Sequence, residues 1–295
     1  MAKIYTLEPT KIKELFRIVD RKGDWQNYWH KDTGVVLRSV NAILDNGYPK
    51  GKGFENWLSR LSPAEAEAER REKSGEGDRT HQYIDSVLTS SGKKGIGTVF
   101  TRESLLVLDK TTGQMVQLND DEWDAVLSWS RFWNAHAPVL IASEMPVYDL
   151  KMGYAGTFDA LLTLTKTCGV KACGCEELIG KVGIWDWKKS AGIYPNYSAQ
   201  LGAYAYADSL KTMLDGSTPD YAANLRLGTA HKTTGGYELK AYTTLTEIYR
   251  RFLAALEIAG YDYKPFDTAQ MEEEIPDQIE VKVNREVKKK GRYNG

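Results

Sequence analysis

The sequence predicts a mixed α/β fold, a β-sheet flanked by helices with a helical region ahead of it. Three observations carry this. Three strand-like runs, 139–149, 154–165 and 181–189, succeed one another. A helical run (196–214), a strand (222–232, leading into 236–243) and an amphipathic helix (244–261) follow them. Before residue 138 the periodicity is mainly helical. Strands alternating with helices in this way form a sheet covered by helices. The pattern divides the 295 residues into an N-terminal helical region with a hairpin (1–138), a core (139–270) and a charged tail (271–295).

Each element has a local reason. Residues 35–51 read as a short apolar segment ending in a turn. Ser62, Pro63 and Glu65 supply an N-cap, an N1 proline and a capping box, opening a charged helix over 62–73. "SGEGD" (74–78) is expected to break it, and a second helix over 79–90 sets His81, Ile84 and Leu88 at helical spacing. Residues 104–118 read as a hairpin about a Thr-Gly turn, and 119–138 as a helix with an acidic start, ended by Pro138. The stretch 281–295 holds six basic residues and one acid and is expected to be mobile.

Composition excludes several classes. The chain is 42% hydrophobic and 27% charged, with a net charge of −1, so any basic surface must be local. The N-terminus lacks the apolar run of a signal peptide, and no window approaches the length of a membrane span. Three cysteines argue against a disulfide framework and for a reducing, cytoplasmic setting. At the spacing Cys168-x₄-Cys173-x-Cys175, zinc would need a fourth ligand and usually shows a two-residue gap, so free thiols are the favoured reading and zinc the alternative. "SGKKGIGT" (91–98) lacks the phosphate-loop pattern and reads as a flexible loop.

The chemistry concentrates in the middle of the chain. Residues two apart on a strand share a face, so Asp186 and Lys188 project together while Trp185 and Trp187 point the other way. Asp159 follows Gly156 by three, and if 154–165 and 181–189 are hairpin neighbours, Asp159 and Asp186 lie side by side. Glu144, one strand earlier, is a candidate third carboxylate. Carboxylates converging on one face repel unless a cation neutralises them, and oxygen-rich sites suit Mg²⁺ or Mn²⁺. Gln200 and Tyr204 stand at i, i+4 on the following helix.

Taken together, Gly156-x-x-Asp159, Asp186-x-Lys188 and Gln200-x-x-x-Tyr204 resemble the PD-(D/E)xK nuclease superfamily, most closely its RecB-type exonuclease branch, which includes mitochondrial genome-maintenance exonucleases. "RSVNAIL", Trp57 and "GDRTHQYI" extend the resemblance upstream, so that it covers roughly residues 36 to 206. It implies a restriction-endonuclease-like core and a Mg²⁺- or Mn²⁺-dependent DNA exonuclease. By the same resemblance His81, Glu144, Asp159, Asp186 and the backbone carbonyl of Trp187 would hold one or two ions. Lys188 would orient and activate the attacking water, and Gln200, Tyr204 and Lys189 would contact DNA. Asp186 stands where glutamate is commoner. Some relatives carry an iron–sulfur cluster on four cysteines; with three, none is expected here. Without a motor motif, the expected setting is recombination, repair or phage DNA metabolism on single-stranded or end-resected DNA. A recombination or single-strand-binding protein is a further candidate partner. Two other readings compete: an inactive nucleic-acid-binding module with the same fold, and a metal-free glycosidase using two carboxylates.

Overall fold

A computed structural model describes residues 3–20, 25–94, 99–228, 235–261 and 280–283. The elements are β1 (Lys3–Pro9), β2 (Leu15–Asp20), β3 (Trp25–His30), β4 (Val35–Ser39), α1 (Val40–Gly47), α2 (Lys52–Leu58) and α3 (Pro63–Lys94). Then come β5 (Val107–Asp109), β6 (Gln114–Val116), α4 (Asp120–His136), β7 (Val139–Asp149), β8 (Tyr154–Thr163) and β9 (Val182–Lys188). The chain continues through α5 (Pro195–Tyr206), α6 (Asp208–Met213), β10 (Tyr221–Arg226), β11 (Glu238–Tyr242), α7 (Leu245–Tyr261) and β12 (Glu280–Val283). Ten strands form one mixed sheet in the order β11-β10-β9-β8-β4-β3-β2-β1-β12, with β7 also paired to β8. The mixed sheet flanked by helices is the expected α/β class. No helix among the described residues is long and apolar enough to cross a membrane.

Two cores cover the two faces of the central strands. On one face Tyr83 and Ile84 of α3 and Trp129 and Phe132 of α4 pack on Trp185, Trp187 and Leu225. On the other, Ile43 of α1, Leu201 of α5 and Phe252 of α7 pack on Phe158, Leu161 and Ile184. The alternation of β9 thus sends its tryptophans one way and Ile184 the other. Burying these large side chains, at about 1.5–3 kcal/mol each, makes β8 and β9 the stiff centre of the molecule.

Four expectations need correction. Residues 3–39 are not helical: β1–β4 form an antiparallel meander that joins the main sheet through the parallel pairing of β4 with β8. Their interspersed charges mask the strand alternation, and among the described residues Gly34, in the left-handed region (φ 69°), marks the β3–β4 turn. "SGEGD" does not break a helix, because α3 is continuous through it. Gly75 and Gly77 cost about 1 kcal/mol each. The turn is held by tertiary ion pairs: Arg79 to Asp109 and Glu122, each at 2.6 Å, and Glu76 to Lys189, also at 2.6 Å. The helix expected over 196–214 divides at Ala207, whose extended ψ of 131° ends α5 and starts α6. Within the expected mobile tail, Glu280–Val283 pairs with β1; the remainder of 271–295 and residues 95–98 lie outside the described residues.

Candidate active site

The site forms where the sheet splays. β7 pairs with β8 along its whole length. On the other edge of β8, β9 pairs only with residues 160–163 and β4 only with 154–155. The β8–β9 ladder ends at Ala160↔Trp185. The next step would place Asp159 against Asp186. There the Trp187 backbone N–H turns instead to the Asp159 side chain, donating to Oδ2 at 2.5 Å. On the β7 side, Ser143 faces Ala160 and Met145 faces Phe158, which sets Glu144 across from Asp159. Glu144 has φ 44°, a backbone strain that a non-glycine residue adopts only when its surroundings impose it. The alternation slips on both strands here: Phe158 and Leu161, and Ala142 and Met145, are each three apart yet pack into the same core. Three adjacent strands therefore bring Glu144, Asp159 and Asp186 into one row.

Helix α3 completes the row from above. His81 Nδ1 lies 3.2 Å from Asp159 Oδ1. Ligand atoms of His81, Glu144 and Asp159 all fall within 4.8 Å of one another. Asp186 stands beside this trio with both oxygens engaged: Oδ1 with Lys188 Nζ at 2.8 Å, Oδ2 with Asn224 Nδ2 at 2.8 Å. The Tyr242 hydroxyl donates in turn to Asn224 Oδ1 at 3.1 Å. Lys188 is fixed further by Gln200 Oε1 at 3.0 Å and by the Tyr197 ring, whose centroid is 4.7 Å from Nζ.

The electrostatics follow from burial. Desolvation, and then the charge of Asp159, push Glu144 up to about 7. Burial raises Asp186 to about 6 even though Lys188 opposes it. Burial works against a charged imidazole at His81, yet the Asp159 charge and hydrogen bond outweigh it and lift the group to about 9. Lys188 is also held above its ordinary value: burial opposes its charge, and Asp186 and Asp159 overcome the penalty. The cluster thus retains protons at neutral pH that a divalent cation would displace.

The other expected residues take less direct positions. Trp187 meets the cluster through its backbone N–H, and its indole lies in the tryptophan-lined core. Gln200 and Tyr204 line the cleft, but the Gln200 amide donates to Asn41 Oδ1 at 2.8 Å and to the Tyr204 hydroxyl at 3.0 Å. With both amide hydrogens used and its carbonyl on Lys188, Gln200 positions the lysine and has no hydrogen left for a phosphate. Tyr204 is buried against Gly156, where a Cβ would come within 2.3 Å of its ring. Lys189, expected on DNA, is ion-paired to Glu76. Asn41 and Asn224 escaped the sequence reading. A signal existed for Asn224, the one amide in the apolar run "YAANL".

These groups sit in a cleft of about 500 Å³ whose rim carries Lys11, Arg17, Lys73, Lys110 and Lys189. Four of these lysines are paired with acids of α3: Lys11 with Asp85, Lys73 and Lys189 with Glu76, Lys110 with Asp78. The cysteines lie away from this cleft, free of disulfides, in the β8–β9 loop. Comparison with models of known protein families finds no match to this chain, and no curated protein matches it.

Proposed function

We propose that the protein is a metal-dependent DNA exonuclease with a restriction-endonuclease-like core. The observation that carries this reading is the convergence of His81, Glu144 and Asp159 within 4.8 Å, beside a half-buried Lys188 that Asp186 and Gln200 hold in place. A stability role fits poorly, because buried charges and a strained Glu144 cost free energy. The donor set suits a divalent ion: carboxylate oxygens favour Mg²⁺ or Mn²⁺, and an imidazole nitrogen tilts the choice toward Mn²⁺. His81, Glu144 and Asp159 would hold the ion, with Asp186 as an outer member of the set. A bound ion would polarise a phosphodiester and lower the pKa of water beside it.

The chain's own residues do the rest. Lys188 remains a cation, so it orients water and stabilises charge developing on phosphoryl oxygens, and it does not act as a base. Asp186, Gln200 and the Tyr197 ring fix that ammonium. Asn224 and Tyr242 fix Asp186. The lysines on the rim can exchange their α3 carboxylates for phosphates, giving salt-sensitive, sequence-independent affinity.

The test is digestion of end-labelled DNA with Mg²⁺ or Mn²⁺, in parallel with Asp159→Asn and Lys188→Met. The expected result is cleavage from ends, abolished by a chelator and sharply reduced by either substitution, with closed circles spared. DNA that binds but is never cut would instead support an inactive binding module.

A further inference from the structure

A second cluster lies on the opposite face of the same strand pair. Cys168, Cys173 and Cys175 offer three sulfurs from the loop between β8 and β9, and the fold supplies what the spacing lacks. His136, the last residue of α4, brings its imidazole among them, so that all four donors fall within 4.8 Å of one another. Cys168 Sγ lies 3.7 Å from Cys175 Sγ, and Cys173 Sγ lies 3.5 Å from His136 Nε2. A tetrahedral zinc, with Zn–S of about 2.3 Å and Zn–N of about 2.0–2.1 Å, sets sulfurs about 3.8 Å apart and sulfur and nitrogen about 3.5 Å apart. The observed spacing is that of ligands around one ion. Disulfide sulfurs would be about 2.05 Å apart, and a multi-iron cluster would spread its ligands more widely.

The surroundings agree. The Nδ1 of His136 lies 2.8 Å from the Phe132 carbonyl, which can only accept, so Nδ1 carries the proton and Nε2 presents its lone pair to the sulfurs. Tyr237 packs in the same cluster as the three cysteines. His136, Cys173 and Cys175 are buried and Cys168 is half-buried, and four protein donors fill a tetrahedral ion's positions, with none left open of the kind a catalytic ion keeps. Gly174, at φ 68°, turns the chain between Cys173 and Cys175 so that both point inward.

We propose that His136, Cys168, Cys173 and Cys175 form a structural Cys₃His zinc site. It pins a loop that contains only two single-turn 3₁₀ segments, 171–173 and 176–178. The loop is closed at its neck by the Leu164–Ile179 bridge. The anchor is the end of α4, so zinc ties the turn joining the two site-bearing strands to the core behind them.

The test is the zinc content of the full chain, purified in reductant without added metal. We expect about one zinc per chain, released as a mercurial titrates the thiols, and lost in Cys173→Ser and Cys175→Ser. Because loss of a structural metal can prevent folding, cobalt(II) exchange into the wild-type protein gives a second reading: tetrahedral d–d absorption with thiolate charge transfer. Asp159→Asn, which alters only the cleft, should keep both zinc and the cobalt spectrum. Folded wild-type protein without zinc and with freely reactive thiols, iron with sulfide in its place, or loss of zinc in Asp159→Asn would each overturn the proposal. DNA cleavage enters none of these readouts, so they stand apart from the nuclease reading.

Discussion

Two donor clusters flank the β8–β9 pair, and they are built on opposite plans. The cleft cluster uses oxygen and one imidazole, reaches solvent, and spends much of its polar capacity on positioning Lys188. The loop cluster uses sulfur and one imidazole, and all its donors but the half-buried Cys168 lie in the core. Hard donors left open suit an ion that must take substrate; soft donors that close a tetrahedron suit one that only holds the chain together. On the two proposals, one strand pair carries a reactive end and a reinforced end. Asp159 and Asp186 sit where the ladder stops, and the cysteines sit where the loop needs a clamp.

The sharpest way to break this contrast is to remove one cluster and read the other. Asp159→Asn should lower the cleavage rate at least about 10³-fold while leaving melting temperature and zinc content near wild type. Lys188→Met should cost about 10²–10³-fold, the scale of losing one charge-stabilising donor, and Lys188→Arg should fail to restore it because the planar fork does not fit the point-charge seat between Asp186 and Gln200. Cys175→Ser should act in the reverse sense, lowering stability by about 4 kcal/mol or more, as loss of a structural metal does, in a denaturant titration. If Cys175→Ser melted like wild type, the division of labour would fail.

The pH dependence of the metal-free protein sharpens the cleft's side of the comparison. His81 is raised to about 9, so its contribution to stability is complete below its ordinary 6.5 and is lost as pH rises through 9. Glu144 and Asp186 are raised to about 7 and about 6, so the native state prefers them protonated. The cost of ionising them accumulates from their ordinary carboxylate values up to those points. All three effects make the metal-free fold weaker in alkali. Mn²⁺ must displace these protons, so its affinity should rise about tenfold per pH unit between pH 7 and 9, where His81 alone gives one up, and more steeply below 7. Calorimetric titration at several pH values checks the slope; a flat profile would remove His81 from the ligand set.

The smallest expected effects concern the support beneath Lys188. Gly156→Ala would drive a methyl into the Tyr204 ring. It should cost about 1–3 kcal/mol of stability and, by shifting Tyr204 and Gln200, reduce cleavage more than Tyr204→Phe. The latter loses one hydrogen bond to Gln200, worth about 1 kcal/mol.

What was legible in the sequence was what local spacing encodes. Asp186 and Lys188 two apart in an apolar strand, Asp159 after Gly156, and Gln200 four before Tyr204 all lie around the cleft. So did the helix carrying His81, although its glycines read as a break, because the ion pairs holding Arg79 and Glu76 come from residues far away in the chain. The meander 3–39 was hidden because its strands are short and charged, and their place is set by pairing with β8, not by their own periodicity. His136 as partner of the cysteines was invisible for the same reason. It precedes Cys168 by two whole strands, β7 and β8, and only the sheet's topology brings them together. Gln200 shows a subtler gap: its position was readable, but whether its amide faces substrate or a neighbour depends on Asn41, far earlier in the chain.

The central claim is that oxygen and nitrogen donors from β7, β8 and α3 share one divalent ion. Anomalous diffraction from crystals soaked in Mn²⁺ tests it most directly. A manganese peak bounded by His81, Glu144 and Asp159, lost in Asp159→Asn, is the predicted result. A manganese-loaded crystal with no peak among those three residues would contradict it.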